Sequence, residues 1–244
     1  MIVLFRGHAK NRVGLSDQRW MNLPCPGTMS IRLRIVSVQR LLREVELRLR
    51  LEFGTSWCKW IDGLPLPVGG STQDRDARYG RAAGVMAKGY KLHAICDAHG
   101  ALDAWAIEPM NVNEQVVAQI LISQLRGEGY LVGDGEYDSN ILYDLSAQAG
   151  FQLVAPFRKG TELGHQKHSP QRLRARELLN RPFGQTLLHH RAGIDRFFGH
   201  LGNFGGGLGP LPHWVRSLRR VRLWVQGKII LNAIRLKTKQ QLVA

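Results

Sequence analysis

The order of sequence patterns predicts an α/β protein: a mixed five-stranded sheet flanked by helices, preceded by a short basic N-terminal extension. Two β-rich runs on either side of a short Asp/Gly connection indicate an antiparallel hairpin. Further apolar runs alternate with segments of helical periodicity, which is typical of an α/β sheet. Hydrophobic residues make up 44% of the 244 residues, enough to form a substantial core.

The N-terminal part of the chain carries weak or mixed signals. Residues 1–30 are predicted to be irregular because Pro24 and Pro26 interrupt any long element. Within them, LSDQRW at 15–20 could begin a helix. Residues 31–53 alternate partly like a strand and also carry a helical apolar stripe; we interpret them as a helix.

The next elements are a strand, a loop and the hairpin. WCKWI at 57–61 predicts a buried strand that ends at Asp62. Residues 69–87 are polar, Gly-rich and basic, which indicates an exposed loop. GYKLHAIC at 89–96 and ALDAWAIE at 101–108 are then the two strands of the hairpin.

Helices and strands alternate after the hairpin. Residues 113–125 show helical spacing, and YLVG at 130–133 predicts a strand. Residues 139–148 predict a second helix, and FQLVAP at 151–156 predicts the last strand. Residues 214–236 carry one long apolar stripe and therefore predict a helical tail.

The charge of the chain points to a polyanionic partner. Lys and Arg number 34 against 19 Asp and Glu, a formal net charge of +15. No stretch approaches the ~18 to 20 apolar residues that cross a bilayer. The three cysteines, Cys25, Cys58 and Cys96, fit neither a zinc pattern nor a disulfide framework. We therefore expect a cytoplasmic protein that binds nucleic acid.

A cluster of acids interrupts this basic sequence. LVGDGEYDSN at 131–140 places Asp134, Glu136 and Asp138 within five residues. Asp134 directly follows a strand, as Asp62 does, and open α/β sheets place their sites at that edge. If the two strands are neighbours, divalent cations would relieve the repulsion between the carboxylates. Glu136 and Asp138 are more simply interpreted as an outward-facing acid and a structural acid before the helix.

A third acid could complete such a site. RAGIDRFFGHLGNF at 191–204 predicts an amphipathic helix with Asp195 beside its apolar face. The alternative is a surface acid paired with Arg191 at i,i+4. The basic face of the tail either is solvated or contacts phosphates; it includes Arg216, Arg219, Arg220 and Arg222. No catalytic role is assigned to His93, His189 or His190.

Five motifs occur in a distinctive order: WIDGLPLPV, GYKLHAICDAHG, EPMNVNE, GYLVGDGEYDSN and RAGIDRFFGHL. Together they resemble the catalytic domain of insertion-sequence transposases of the DDE class, from about residue 57 to about residue 235. The resemblance implies a ribonuclease-H-like fold whose three acids surround two Mg²⁺ ions, for which Mn²⁺ can substitute.

The resemblance also implies residue roles. By position, the catalytic and metal-binding acids are Asp62, Asp134 and Asp195, and Arg191 matches an arginine that contacts DNA near the active site. Asp195 stands where the family has Glu, so its carboxylate reaches one methylene less far. The DNA-binding residues are expected to be Arg191, Arg196, Arg216, Arg219 and Arg220.

The expected function is a DNA transposase that hydrolyses phosphodiesters and transfers strands at insertion-sequence ends. The alternative is an impaired remnant that acts only as a basic DNA-binding protein; an RNA-binding protein is disfavoured because no stacking-aromatic motif is present. We expect an N-terminal extension at 1–56, for which a truncated DNA-binding region is one interpretation, and a catalytic domain at 57–240. The expected partner is double-stranded DNA, with a possible homodimer on it, in the nucleoid of a bacterial cytoplasm.

Overall fold

The computed structural model describes residues 25–82, 84–100, 102–157, 168–204 and 207–243. The helices are α1 (Pro26–Arg32), α2 (Val36–Glu52), α3 (Glu114–Ile122), α4 (Asn140–Gln148), α5 (Pro170–Leu179), α6 (Pro182–His190), α7 (Ala192–Gly199) and α8 (Leu218–Val243). The strands are β1 (Cys58–Pro67), β2 (Arg78–Ala82), β3 (Val85–Asp97), β4 (Leu102–Pro109), β5 (Gly129–Val132) and β6 (Phe151–Val154).

All six strands belong to one mixed sheet. The long strand β3 pairs antiparallel with β1 along one edge, and with β2 and then β4 along the other. On the far side of β1, strands β5 and β6 run parallel to it. The predicted α/β class with a mixed sheet flanked by helices is therefore confirmed, and so is the hairpin, which is β3 and β4.

Strand β2 lies in the segment predicted to be a loop, so that prediction was wrong. A Cβ at Gly80 in β2 would lie 2.3 Å from the carbonyl oxygen of Met110. Glycine is therefore required by close backbone packing, rather than by the flexible loop that a Gly-rich segment suggests.

Strand β1 does not end at Asp62, as predicted, but continues to Pro67. Its pairing with β5 stops at Trp60, whereas its pairing with β3 extends to Pro67. The Val68 N–H donates to Lys88 O of β3, so the nitrogens of the odd-numbered residues Pro65 and Pro67 face the free edge. Prolines are tolerated there because no ladder hydrogen bond is lost.

Two apolar cores cover the two faces of the sheet. One face packs on α7 and α8 through a cluster that includes Trp60, Leu92, Val132, Ile194, Phe197, Val221 and Val225. The other face packs on α3 and α4 through a cluster that includes Ile61, Ile95, Val117, Leu121, Leu131, Leu142 and Tyr143. Adjacent residues of β1 therefore point into different cores, as the period of a strand requires.

Helix α2 is attached to the sheet and to α8. The α2 side chain Glu46 accepts hydrogen bonds from Trp105 Nε1 and Gln226 Nε2. Residues 36–52 of the segment 31–53 form α2, so the helical interpretation is confirmed for that part. Helix α1 was not predicted; Pro26 begins this helix rather than breaking one, because its missing N–H is not needed at the first position. The possible helix at 15–20 lies outside the described residues.

The helical tail is confirmed as α8, although the helix begins four residues later than predicted and extends further. Its start is set by two carboxylates: Asp74 accepts from the Ser217 N–H and Asp76 from the Leu218 N–H. None of the described helices, α8 included, has the length and apolar character needed to span a membrane.

Candidate active site

Asp62 and Asp134 lie level with each other on neighbouring parallel strands. The last parallel pair joins Trp60 of β1 to Val132 of β5, and each aspartate follows its member of this pair by two residues: Asp62 within β1, and Asp134 just past the end of β5. Because side chains alternate along a strand, Asp62 lies on the same face as Trp60, whose core is covered by α7. The sheet topology thus brings together two of the three predicted acids.

Each carboxylate is fixed by a backbone donor in its own turn. The Gly63 N–H donates to Asp62 Oδ1 at 2.7 Å, and the Glu136 N–H donates to Asp134 Oδ1 at 2.9 Å. The second bond caps the short 3₁₀ turn Gly135–Tyr137. In both cases Oδ2, the second oxygen, takes no part in this backbone bond.

The pair is electrostatically unfavourable. Burial, followed by the neighbouring Asp134 and Glu114 carboxylates, raises the pKa of Asp62 from 3.8 to about 6, against the opposing effects of the Gly63 N–H and Arg191. Burial likewise raises the pKa of Asp134. Two half-buried carboxylates with raised pKa values fit a hard divalent cation, which would relieve both their repulsion and their desolvation.

This repulsion predicts that removing one charge stabilises the cation-free protein. Because the folded-state pKa of Asp62 lies above its ordinary value, the free energy of unfolding falls as the pH rises from about 4 to about 6. Asp62→Asn keeps an oxygen for the Gly63 N–H, so we expect it to raise the free energy of unfolding by ~2 kcal/mol near neutral pH. Urea unfolding in EDTA measures the gain.

The gain should shrink as the pH is lowered through about 4 and approach zero below the ordinary pKa of 3.8, where the carboxyl is protonated in both states. The matched control is Glu128→Gln, the same change at an exposed acid, which should stay within ~0.5 kcal/mol of wild type. A gain of equal size at both pH values would contradict an electrostatic origin.

Helix α7 packs directly over the aspartate pair. A Cβ at Gly193 would lie 2.6 to 2.7 Å from ring atoms of Trp60, so only glycine lets the helix approach β1 this closely. Two residues earlier, Arg191 Nη1 lies 3.5 Å from Asp62 Oδ2. The predicted DNA-contacting arginine therefore stands at the carboxylates, and Arg196 is exposed on the same helix.

Asp195 is not joined to the other two acids by any contact in the described part of the chain. It is exposed on α7, one helical turn beyond Arg191, and forms no hydrogen bond or ion pair there. The alternative interpretation, a pair with Arg191, does not hold either, since Arg191 contacts Asp62 instead. Across the residues with described positions, no three His, Cys, Asp or Glu side chains lie close enough to hold a metal ion.

The sequence analysis missed a group of three interacting side chains near the aspartate pair: Glu114, Lys91 and Tyr137. Glu114, at the start of α3, accepts a hydrogen bond from Lys91 Nζ at 2.5 Å and one from the Tyr137 hydroxyl at 3.3 Å. Its charge raises the pKa of both aspartates, although burial is the larger cause. In the sequence Glu114 looks like an ordinary acid in the first turn of a helix; the signal that could have found it is its place as the last residue of the motif EPMNVNE.

The other two acids of the 131–140 segment, and the histidines considered in the sequence analysis, lie in surroundings that give them no role at the aspartate pair. Asp138 forms a two-point ion pair with Arg172, at 2.8 and 2.6 Å, and Glu136 is exposed. His93 is a buried strand residue whose pKa burial lowers to about 4. His189 lies near the end of α6, with Nδ1 2.7 Å from Gln185 O. These positions agree with the structural interpretations made from sequence.

The three predicted DNA-binding arginines near the start of α8 differ in their surroundings. The Arg216 guanidinium donates to backbone carbonyls of Pro212, Val215 and Val68. Arg219 and Arg220 are exposed, and Arg219 Nη2 donates to the carbonyl of Arg34. These arginines lie at a different part of the surface from Arg191 and are considered separately below.

Comparison with known proteins places this geometry in a family. The sequence profile described as "Transposase DDE domain" matches residues 54–228, and among curated proteins none matches the chain. The fold is similar to that in the cryo-EM structure of the piggyBac transposase synaptic complex with hairpin DNA, with a TM-score of 0.53 at 11% identity. That likeness covers 98% of this chain but only 64% of the piggyBac chain, and at this identity it shows the fold alone. The profile covers well over half of the chain and contains the level pair Asp62 and Asp134, so the chain belongs to the transposase DDE domain family.

Proposed function

We propose that the protein is a DNA transposase that catalyses metal-dependent phosphodiester hydrolysis and strand transfer at the ends of an insertion sequence. The observation that supports this most is the level pair of Asp62 and Asp134 beneath Arg191, within a domain that matches the family. The unfavourable electrostatics of the pair need a cation for relief, and the adjacent arginine suits a phosphate.

The proposed cofactor is a pair of Mg²⁺ ions, for which Mn²⁺ can substitute, held by Asp62 and Asp134 with Asp195 as the third ligand. When bound, such ions would activate the attacking oxygen and stabilise the leaving one. Asp195 lies on the helix that also carries Arg191, and residues four apart share a helix face, which supports its role. Because its side chain is exposed and makes no contact with the pair, we propose that it engages once cations are bound.

The chain's own residues then bind and orient the DNA. Arg191 contributes a guanidinium within 3.5 Å of Asp62, where a phosphodiester that reaches the acids would meet it. Arg196, exposed on the same helix, contacts the backbone further out and fixes the register of the duplex without reading its sequence. We propose residues 57–240 as the catalytic domain, and a homodimer on DNA because two element ends must be joined, acting in a bacterial nucleoid.

Cleavage of a plasmid that carries candidate terminal inverted repeats tests this proposal. We expect nicking or linearisation with Mg²⁺ or Mn²⁺ and none in EDTA, together with a rise in melting temperature when cations are added, since they bind only the folded state. DNA binding without any cleavage, and without a cation-dependent rise in melting temperature, would contradict the proposal. That result would support the impaired remnant instead.

Lengthening the third acid is expected to raise activity. Asp195→Glu extends the carboxylate by one methylene towards the level pair, and since misplacement by ~1 Å can cost ~100-fold in rate, we expect a ~10- to 100-fold faster cleavage. Cation affinity, measured by calorimetry in the absence of DNA, should rise as well. Asp62→Glu is the matched control: the same extension at an acid already in place should slow cleavage. Faster cleavage by both variants, or by neither, would argue against Asp195 as a ligand.

A further inference from the structure

A second basic surface lies away from the aspartate pair. An open cleft of about 660 Å³ is formed by the loop before β2, the chain between α1 and α2, and the start of α8. We call it the arginine cleft, and its charged lining residues are Arg34, Arg75, Arg216, Arg219, Arg220, Asp74 and Asp76. Five guanidinium groups therefore face two carboxylates.

The two carboxylates are engaged in holding the cleft together. Asp74 Oδ2 accepts from the Tyr90 hydroxyl at 2.7 Å and from the Ser217 N–H at 3.0 Å, and Asp76 Oδ2 accepts from the Leu218 N–H at 2.8 Å. Ser217 has a φ of 69°, a conformation that non-glycine residues rarely adopt and that the surrounding structure must enforce. The acids thus fix the start of α8 rather than pairing with arginines.

Three of the five arginines in the cleft donate side-chain hydrogen bonds to backbone carbonyls, and the other two do not within the described part of the chain. Arg216 is taken up by backbone carbonyls, while Arg34 and Arg219 each donate one bond to a carbonyl. Arg75 and Arg220 are exposed, and within the described ranges the guanidinium of neither forms an ion pair or hydrogen bond. Two exposed guanidinium groups in a positively charged cleft suit a phosphodiester backbone, which offers a phosphate to each of them, better than a single carboxylate ligand.

The distance from the arginine cleft to the proposed active site can be estimated along strand β1. Arg216 Nη2 lies 3.3 Å from the carbonyl oxygen of Val68, at the end of β1. Val68 is six residues beyond Asp62, so at ~3.3 Å per residue the cleft edge is ~20 Å from the aspartate pair. At 3.4 Å per base pair this corresponds to roughly six base pairs of duplex DNA.

We propose that the arginine cleft binds the sugar-phosphate backbone of duplex DNA about six base pairs from the scissile phosphate, with Arg75 and Arg220 as the main contacts. The distance to the scissile phosphate rests on the proposed function; the binding of a duplex backbone by the cleft does not. Because the contacts are to phosphates, they are independent of base sequence and orient the duplex along β1.

Fluorescence anisotropy with a labelled duplex of ~30 base pairs of arbitrary sequence, in EDTA and over a range of salt concentrations, tests the proposal. The double variant Arg75→Ala/Arg220→Ala should bind ~10-fold more weakly, and its slope of log K against log salt should fall in magnitude by ~2, one for each lost phosphate contact. The matched control is Arg48→Ala/Arg181→Ala, which removes the same charge from two exposed arginines away from the cleft. The control should keep the wild-type slope.

Equal slopes for the two double variants would overturn the proposal while leaving the active site proposal intact. An absence of DNA binding by the wild type would overturn it as well. Conversely, a reduced slope in a protein that never cleaves DNA would support the cleft and reject the transposase activity. Circular dichroism checks that each variant is folded. Because the substituted arginines are exposed, the free energy of unfolding should stay within ~0.5 kcal/mol of the wild-type value.

Discussion

Asp134→Ala is expected to lower cation-dependent DNA cleavage by ~10³-fold or more while leaving affinity for duplex DNA unchanged or slightly higher. The reason is the level position of Asp134 beside Asp62: a single carboxylate is a poor site for divalent cations, whereas losing a negative charge does not weaken phosphate binding. Plasmid nicking and anisotropy on the same preparation separate the two effects.

Two further variants make this result specific. Asp134→Asn retains an oxygen for the Glu136 N–H that caps the 3₁₀ turn, so it should be as inactive as the alanine variant and, without cations, at least as stable as wild type. Glu136→Ala removes an exposed acid from the same turn and should cleave at the wild-type rate. Wild-type cleavage by Asp134→Asn would show that the carboxylate is not required.

Asp103→Leu is expected to lower the free energy of unfolding by ~3 to 5 kcal/mol. Asp103 on β4 pairs with the ammonium of Lys59, whose side chain is 0% exposed, and with Arg50 Nη2 of α2 at 3.0 Å. Removing the carboxylate would leave the Lys59 charge buried without a counter-ion, and would also remove one of the contacts between α2 and the sheet. Chemical denaturation measures the loss.

The origin of that loss can be isolated with a second substitution. In Lys59→Met/Asp103→Leu both charges are absent, and apolar side chains of similar volume should recover most of the stability. Glu44→Ala, which breaks the exposed pair with Arg48, should cost less than ~0.5 kcal/mol. If the double substitution were no more stable than Asp103→Leu, the buried charge would not be the cause.

Elements with a strong local pattern were predictable from sequence. The alternation of 89–96 and 101–108 around an Asp/Gly connection became the hairpin of β3 and β4, and the helical spacing of 113–125 became α3. These patterns arise because each element buries one face, which the chain encodes at a period of 2 or 3.6 residues. The extension of β1 to Pro67 was not predictable, because whether proline is tolerated depends on which edge of the strand has a partner.

The candidate site likewise contains residues that could be predicted from the sequence and residues that could not. The position of Asp134 after an apolar run, and the order of the motifs around Asp62, identified the pair before any geometry was known. The neighbours Glu114, Lys91 and Tyr137 were missed, since each belongs to a different element and has an ordinary local explanation. Their convergence is a long-range contact, which the patterns of one chain do not encode.

The sequence by itself determined the chemistry available to this protein: the α/β class, the excess of arginine over acid, and the family to which its motifs belong. Only the tertiary structure decided which of those residues meet. Parallel pairing of β1 with β5 sets Asp62 level with Asp134, and close packing at Gly193 brings Arg191 to the pair and leaves Asp195 exposed. It also separated Arg216, which holds backbone carbonyls, from Arg220, which faces solvent. The physical reason is that strand partners and helix packing are fixed by contacts far apart in the chain, whereas composition and periodicity are local.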